Sequence, residues 1–114
     1  MTIDNANVGS STPAVVATGA SGGTAITALY LCNNSTEAAT VNVYACKTGE
    51  GANDGNVGDS TTNMNIIYRE LTITPKDTYV IDTEKLILGS GDTLQVETTD
   101  SSGQIVATVS KLDL

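Results

Sequence analysis

The feature that most constrains this chain is the rhythm of its apolar residues. They recur with a period of two in short runs, each run closed by a cluster of Gly, Asn, Asp, Ser or Pro, and no stretch carries the 3.6-residue repeat of an amphipathic helix. Residues 24–33 place Ile26, Ala28, Tyr30 and Cys32 on one side and Thr27, Leu29 and Leu31 on the other. Apolar groups on both sides predict a central strand. After the polar segment NNSTEA, Val41, Val43 and Ala45 alternate with Asn42, Tyr44 and Cys46. Residues 64–74 set Ile67, Arg69, Leu71 and Ile73 against Ile66, Tyr68, Glu70 and Thr72, and they end at the turn Pro75-Lys76-Asp77. Further runs lie at 78–82, 86–88, 93–99 and 104–110, parted by Gly89-Ser90-Gly91-Asp92 and Asp100-Ser101-Ser102-Gly103. Seven or eight short strands at this spacing predict an all-β fold, an antiparallel β-sandwich of jelly-roll or immunoglobulin-like type, with a partly closed barrel as the alternative.

With 114 residues the chain is one domain's worth. Residues 1–23, rich in Gly, Ser, Thr and Asn, read as an extended N-terminal arm holding one short strand around Ala14–Ala17, and residues 24–114 as the sandwich. Residues 49–63 hold four Gly, three carboxylates and almost nothing to bury, the composition of a long surface loop. Phe and Trp are absent, so the core must be built from Val, Ile, Leu, Ala and Thr and is thin. The four Tyr all fall in strand-like runs and are expected to fill the core or the sheet surface more than to anchor partners.

Charge removes several classes of function. Thirteen acidic residues against five basic ones give a net charge of −8, so no basic patch can neutralise a row of phosphates and nucleic acid is excluded as a partner. No stretch approaches the roughly 18 apolar residues of a membrane span. The opening MTIDNANVGSST lacks a positive region and an apolar run, which predicts no secretory signal. There is no His and only one Arg, so the usual general base and anion clamp are missing, and no Ser or Thr sits in a nucleophile motif. The chain reads as non-enzymatic and without a cofactor.

Three clusters were candidates for chemistry. Glu50, Asp54, Asn56 and Asp59 offer the oxygen ligands calcium prefers, but their spacing does not match an EF-hand, and a solvated acidic loop is the better reading. Asp77, Asp82, Glu84 and Asp92 could supply a carboxylate pair, yet no aromatic platform accompanies them and Asp before a strand is ordinary turn chemistry. Asn33-Asn34-Ser35-Thr36 contains two overlapping glycosylation sequons, read here as a tight polar turn. Lys85 beside Glu84 reads as a surface ion pair of small worth. If the runs around Cys32 and Cys46 are hairpin partners, the two thiols lie on the order of 13–17 Å apart, too far for a disulfide. Two small buried hydrophobes are then expected.

Taken together, the strand ending in Cys32-Asn33 with its polar turn, the strand Val41-Asn42-Val43-Tyr44, and the unit running from Ile67-Tyr68 through Pro75-Lys76-Asp77-Thr78-Tyr79-Val80-Ile81-Asp82 resemble a family of small virion structural proteins of tailed bacteriophages. A Gly-Asp turn at Gly91-Asp92 follows, and the likeness covers roughly residues 24–110. It implies a capsid decoration (cement) protein that is made in the bacterial host cytoplasm and sits on the outer surface of the virion. There it would bind the phage major capsid protein and itself, as a homo-oligomer such as a trimer. A neck or tail component, or a carbohydrate-binding adhesive module, is the alternative. On this reading the contact residues are Ile3, Val8, Pro13, Val15 and Val16 in the arm, with Asp54 and Asn56 in the loop, and deleting residues 1–20 should leave the sandwich folded.

Overall fold

The computed structural model describes residues 2–8, 13–52, 65–82, 85–98 and 104–114. These form nine strands: β1 (Thr2–Val8), β2 (Ala14–Thr18), β3 (Thr24–Asn33), β4 (Ala39–Cys46), β5 (Ile66–Ile73), β6 (Thr78–Ile81), β7 (Leu86–Leu88), β8 (Thr93–Thr98) and β9 (Ile105–Asp113). Every pairing is antiparallel. The first sheet runs β1-β9-β3-β6, with β7 beside β6 on the same edge of β3, and the second runs β2-β8-β4-β5.

The pairs β1:β9, β2:β8, β3:β6/β7 and β4:β5 are nested, as though one long antiparallel ribbon had been rolled so that β9 also meets β3 and β8 also meets β4. That is jelly-roll connectivity, in which most connections cross from one sheet to the other. It decides between the two sandwich types expected from the sequence. The inward rows of both sheets meet in one core that includes Val8, Leu31, Val41, Val43, Val96 and Ile105. Burying each such side chain contributes about 1.5–3 kcal/mol.

Residues 2–8 and 14–18, expected as an extended arm, are sheet strands instead. β1 pairs with β9 over its whole length, from Thr2 opposite Lys111 to Val8 opposite Ile105, and β2 pairs with β8. The sandwich therefore begins at Thr2. The strand pattern of β1 is faint because its inward row is Asp4, Ala6 and Val8, and Asp4 is accommodated by an ion pair with Lys111 of β9 at 2.7 Å. Most of what holds β1 in place is a backbone ladder to a strand about a hundred residues away, which local composition does not display.

β-Bulges account for the other differences. In β3, Ile26 stands opposite Lys111 and Ala28 opposite Ser110, so Thr27 is the extra residue of a bulge. Its hydroxyl bonds the Ser110 carbonyl at 2.9 Å. The bulge turns Ile26 to the same side as Leu29 and Leu31, facing the core, and leaves Ala28, Tyr30 and Cys32 outward. In β5, two register shifts against β4 pair Leu71 with Val41 and Tyr68 with Val43. Glu70 lies between them with a left-handed φ of 56°, its N–H donated to Asn42 Oδ1 at 2.7 Å. Tyr68 thus packs toward the core while Ile67 is exposed, the reverse of strict alternation.

β3 and β4 belong to different sheets, so the hairpin assumed for Cys32 and Cys46 does not exist. Neither cysteine is in a disulfide all the same.

Candidate interaction surface

The two outer faces of the sandwich differ. On the second sheet the outward residues Tyr44, Cys46 and Gln95 are buried, Tyr44 to 1% exposure. The Tyr44 hydroxyl donates to Glu97 Oε1 at 2.7 Å, and Asn42 Nδ2 donates to the same oxygen at 3.2 Å. Asn65 ties this side together: its side-chain Nδ2 donates to the Gly51 carbonyl at 2.8 Å, and its main-chain carbonyl accepts from Ala45 N. The middle of that face is closed and polar, while Val15 on β2 and Ile67 on β5 are exposed at its edge strands.

The outer face of the first sheet is open. Residues opposite one another in an antiparallel ladder share a face, so the register defines its rows. Asn7, Val106, Cys32 and Thr78 form one, and Asn5, Thr108, Tyr30 and Val80 the next. Ile3, Ser110 and Ala28 follow, then Leu112, Ala25 and Ile87. The paired positions of these rows hold no Asp, Glu, Lys or Arg; charge enters at the edge between β6 and β7, where Asp82, one step past Ile81, falls opposite Ala28 and Lys85 donates to the carbonyls of Thr27 and Asp82. Ile3 and Ile87 are each 67% exposed, and Tyr30, Val80 and Leu112 are exposed as well. In a chain of net charge −8, a surface with five exposed large apolar side chains and charge only at one edge stands apart from ordinary scattered exposure.

Of the contact residues expected from the sequence, Ile3 lies on this face. Val15 is exposed, but on the outward side of the second sheet beside Gln95. Val8 and Val16 are core residues and present nothing to a partner, and Pro13 is half-buried. Asp54 and Asn56 lie outside the described residues, as does Asp59. The other exposed apolar residues of this face, Tyr30, Val80, Ile87 and Leu112, were not among those expected. The signal that could have found them was the apolar character of both sides of residues 24–33, read as burial on both sides when one side is open.

Among the described residues, Asp77 and Asp92 do not come together. Asp77 accepts from Thr78 N at 2.8 Å and from the Thr74 hydroxyl, capping the turn before β6. Asp92 accepts from Thr48 N and Thr48 Oγ1, both at 3.0 Å, and from Gly89 N at 2.9 Å. These bonds, the Thr48 hydroxyl first, hold its carboxyl below the ordinary aspartate range. Thr78 pairs with Cys32 and Leu88 with Thr24, so the two turns sit at opposite ends of β3, roughly 25–30 Å apart at strand rise. Glu84 lies outside the described residues, and Lys85 donates instead to the carbonyls of Thr27 and Asp82.

An apolar cavity of about 360 Å³ opens between the sheets on the β5 side. Ile26, Leu29, Val43 and Leu94 line it from the core, Ile67, Tyr68, Ile81 and Leu86 form its walls, and Lys85 is its one charged residue. Among the described residues no group of three or more His, Cys, Asp or Glu is placed to hold a metal ion.

No protein-family model, curated protein or solved structure matches this chain.

Proposed function

We propose that this protein is a non-enzymatic assembly protein, and specifically a structural component of a bacteriophage particle that decorates the outer capsid surface. The observation that carries the assembly reading is the open outer face of the first sheet, charged only at one edge. An acidic chain that leaves such a surface to solvent gains by covering it, because association adds apolar burial that a core without Phe or Trp is short of. The particular assignment to a phage particle rests on the sequence resemblance between residues 24 and 110. Jelly rolls serve both viral capsid and lectin domains, which is compatible with it as an analogy of fold. The charge of −8 keeps decorated particles soluble and apart.

The adhesive alternative is less well supported. Sugar platforms need accessible aromatic faces; Tyr44 is buried and Tyr68 is packed against the core, which leaves Tyr30 and Tyr79.

Co-sedimentation of the purified chain with tailed-phage capsids that lack it tests the proposal. Saturable binding at hundreds of copies per particle is the expected result. Binding at six or twelve copies, or only to tails, would move the protein to the neck or tail, and retention on a glycan array without capsid binding would favour the adhesive reading.

A further inference from the structure

We infer that the open outer face of the first sheet is an isologous interface, covered by the same face of a second copy of this chain. The inference rests on the reading of the chain as an assembly protein and names the partner for that surface.

Charge is the first argument for a second copy over a foreign partner. Two chains of net charge −8 repel wherever their acidic surfaces meet. The paired rows around Tyr30, Val80 and Ile87 contain no charged side chain, and the charges at their β6/β7 edge, Asp82 and Lys85, are of opposite sign, so here two copies can approach with far less carboxylate-on-carboxylate repulsion than elsewhere on the chain. A cationic partner would instead be drawn to the acidic positions elsewhere on the chain.

Area is the second. From Ala25 to Cys32 the face is about 25 Å long, and four strands with their side chains make it about 20 Å wide, roughly 500 Å² per copy. Two copies then bury about 1,000 Å², the lower limit for specific association. The pair is therefore expected to be reversible, with its population set by concentration. Shape is the third, since stacked sheets pack face to face at about 10 Å, and the paired rows carry only short or uncharged side chains, with the one long cation, Lys85, turned at the edge onto the carbonyls of Thr27 and Asp82.

Same face on same face implies a two-fold axis, so the unit is a dimer. A trimer cannot be built from this contact. The further residue Cys32, half-buried in the β3 row, lies inside the covered area.

Sedimentation equilibrium on the full chain tests the inference. The expected mass is twice 11.7 kDa at high concentration, falling toward one chain on dilution. The double variant Val80→Lys, Ile87→Lys should raise the dimer dissociation constant at least about tenfold. Both positions are exposed, so the β circular dichroism spectrum should be retained. These substitutions lower the net negative charge, so dissociation cannot be assigned to stronger overall repulsion. Mixing that variant with Val80→Glu, Ile87→Glu should restore a two-chain species, and Thr72→Lys, on the exposed edge strand of the other sheet, should leave the mass unchanged.

A wild-type chain that stays monomeric at every concentration, a trimer, or a lysine variant that dimerises like wild type would each overturn the interface. Capsid binding is a separate readout. A monomer that still binds capsids would sink this inference and leave the assembly reading standing, whereas a dimer that ignores capsids would do the opposite to the phage assignment.

Discussion

The side chain of Asn33, at the end of β3 in the first sheet, donates its amide hydrogen to the main-chain carbonyl of Ile73, at the end of β5 in the second, at 3.0 Å. The same amide donates to the Glu37 carbonyl at 2.8 Å, and its Oδ1 accepts from Ser35 N and Ser35 Oγ at 2.9 and 2.6 Å. A fully buried side chain thus ties the β3–β4 crossing to the opposite sheet with all its polar capacity used. Replacing it with Ala leaves two carbonyls and the Ser35 groups with a missing partner in the interior. Asn33→Ala is expected to cost about 2–4 kcal/mol in denaturant unfolding, and Asn33→Asp at least as much, since a carboxylate faces the carbonyls of Glu37 and Ile73. Loss of less than about 0.5 kcal/mol would show that the tie between the sheets is not made.

Gly19 and Gly89 approach so closely that a Cβ on Gly19 would lie 1.8 Å from the Gly89 carbonyl oxygen. The approach is fastened by Gly19 N donating to the Asp92 carbonyl at 2.8 Å and Gly91 N donating to the Gly19 carbonyl at 3.0 Å. Both sides of the clash are backbone and cannot rotate away. Gly19→Ala should destabilise by more than about 2 kcal/mol. Gly51→Ala, where a Cβ meets nothing within 4 Å, should change stability by less than about 0.5 kcal/mol, and thermal melts of the two variants make the comparison.

Asp92 links the β7–β8 turn to Thr48 at the exit of β4, and its carboxyl is held below the ordinary aspartate range chiefly by the Thr48 hydroxyl. A group more acidic in the folded state adds stability above its unfolded pKa of about 3.9 and loses that contribution as pH falls through its lower folded value. Asp92→Asn should therefore melt at a lower temperature than wild type near neutrality, with the gap closing below about pH 4. A gap that is constant from neutral to acid pH would mean that the charge of Asp92 contributes nothing.

Removing residues 1–8 strips the edge strand β1 from β9 and takes Val8, with 0% exposure, from the core. The truncated chain is expected to lose several kcal/mol, about 2–3 of them from Val8 alone, and to show faster amide exchange along β9. Deletion without change in exchange at Val106–Lys111 would restore the view of this segment as a detached arm.

Much of the fold is legible in the residues. The alternation in 39–46 and 93–98 and the turns at Pro75-Lys76-Asp77 and Gly89-Asp92 mark the strands β4, β5, β6 and β8 and where they end, because half-buried strands must alternate and turns need Gly, Pro or Asp. The candidate site is legible only in part. Ile3 is exposed while Val8 and Val16 lie in the core, and the residues do not distinguish them because a short apolar run looks the same whether it meets the chain's own core or solvent. Thr27 and Glu70 carry no mark of the bulges they occupy, since a bulge is a property of two strands in register and not of one.

By itself the sequence determined that this protein is an acidic, all-β sandwich without histidine, because charge, residue type and period two are local properties. Only the tertiary structure decided that β1 closes against β9, that the connectivity is a jelly roll, and which of two apolar-looking strand faces is left to solvent. Those outcomes depend on pairings between residues up to a hundred positions apart, whose free energy comes from backbone ladders and shared burial that no single segment contains.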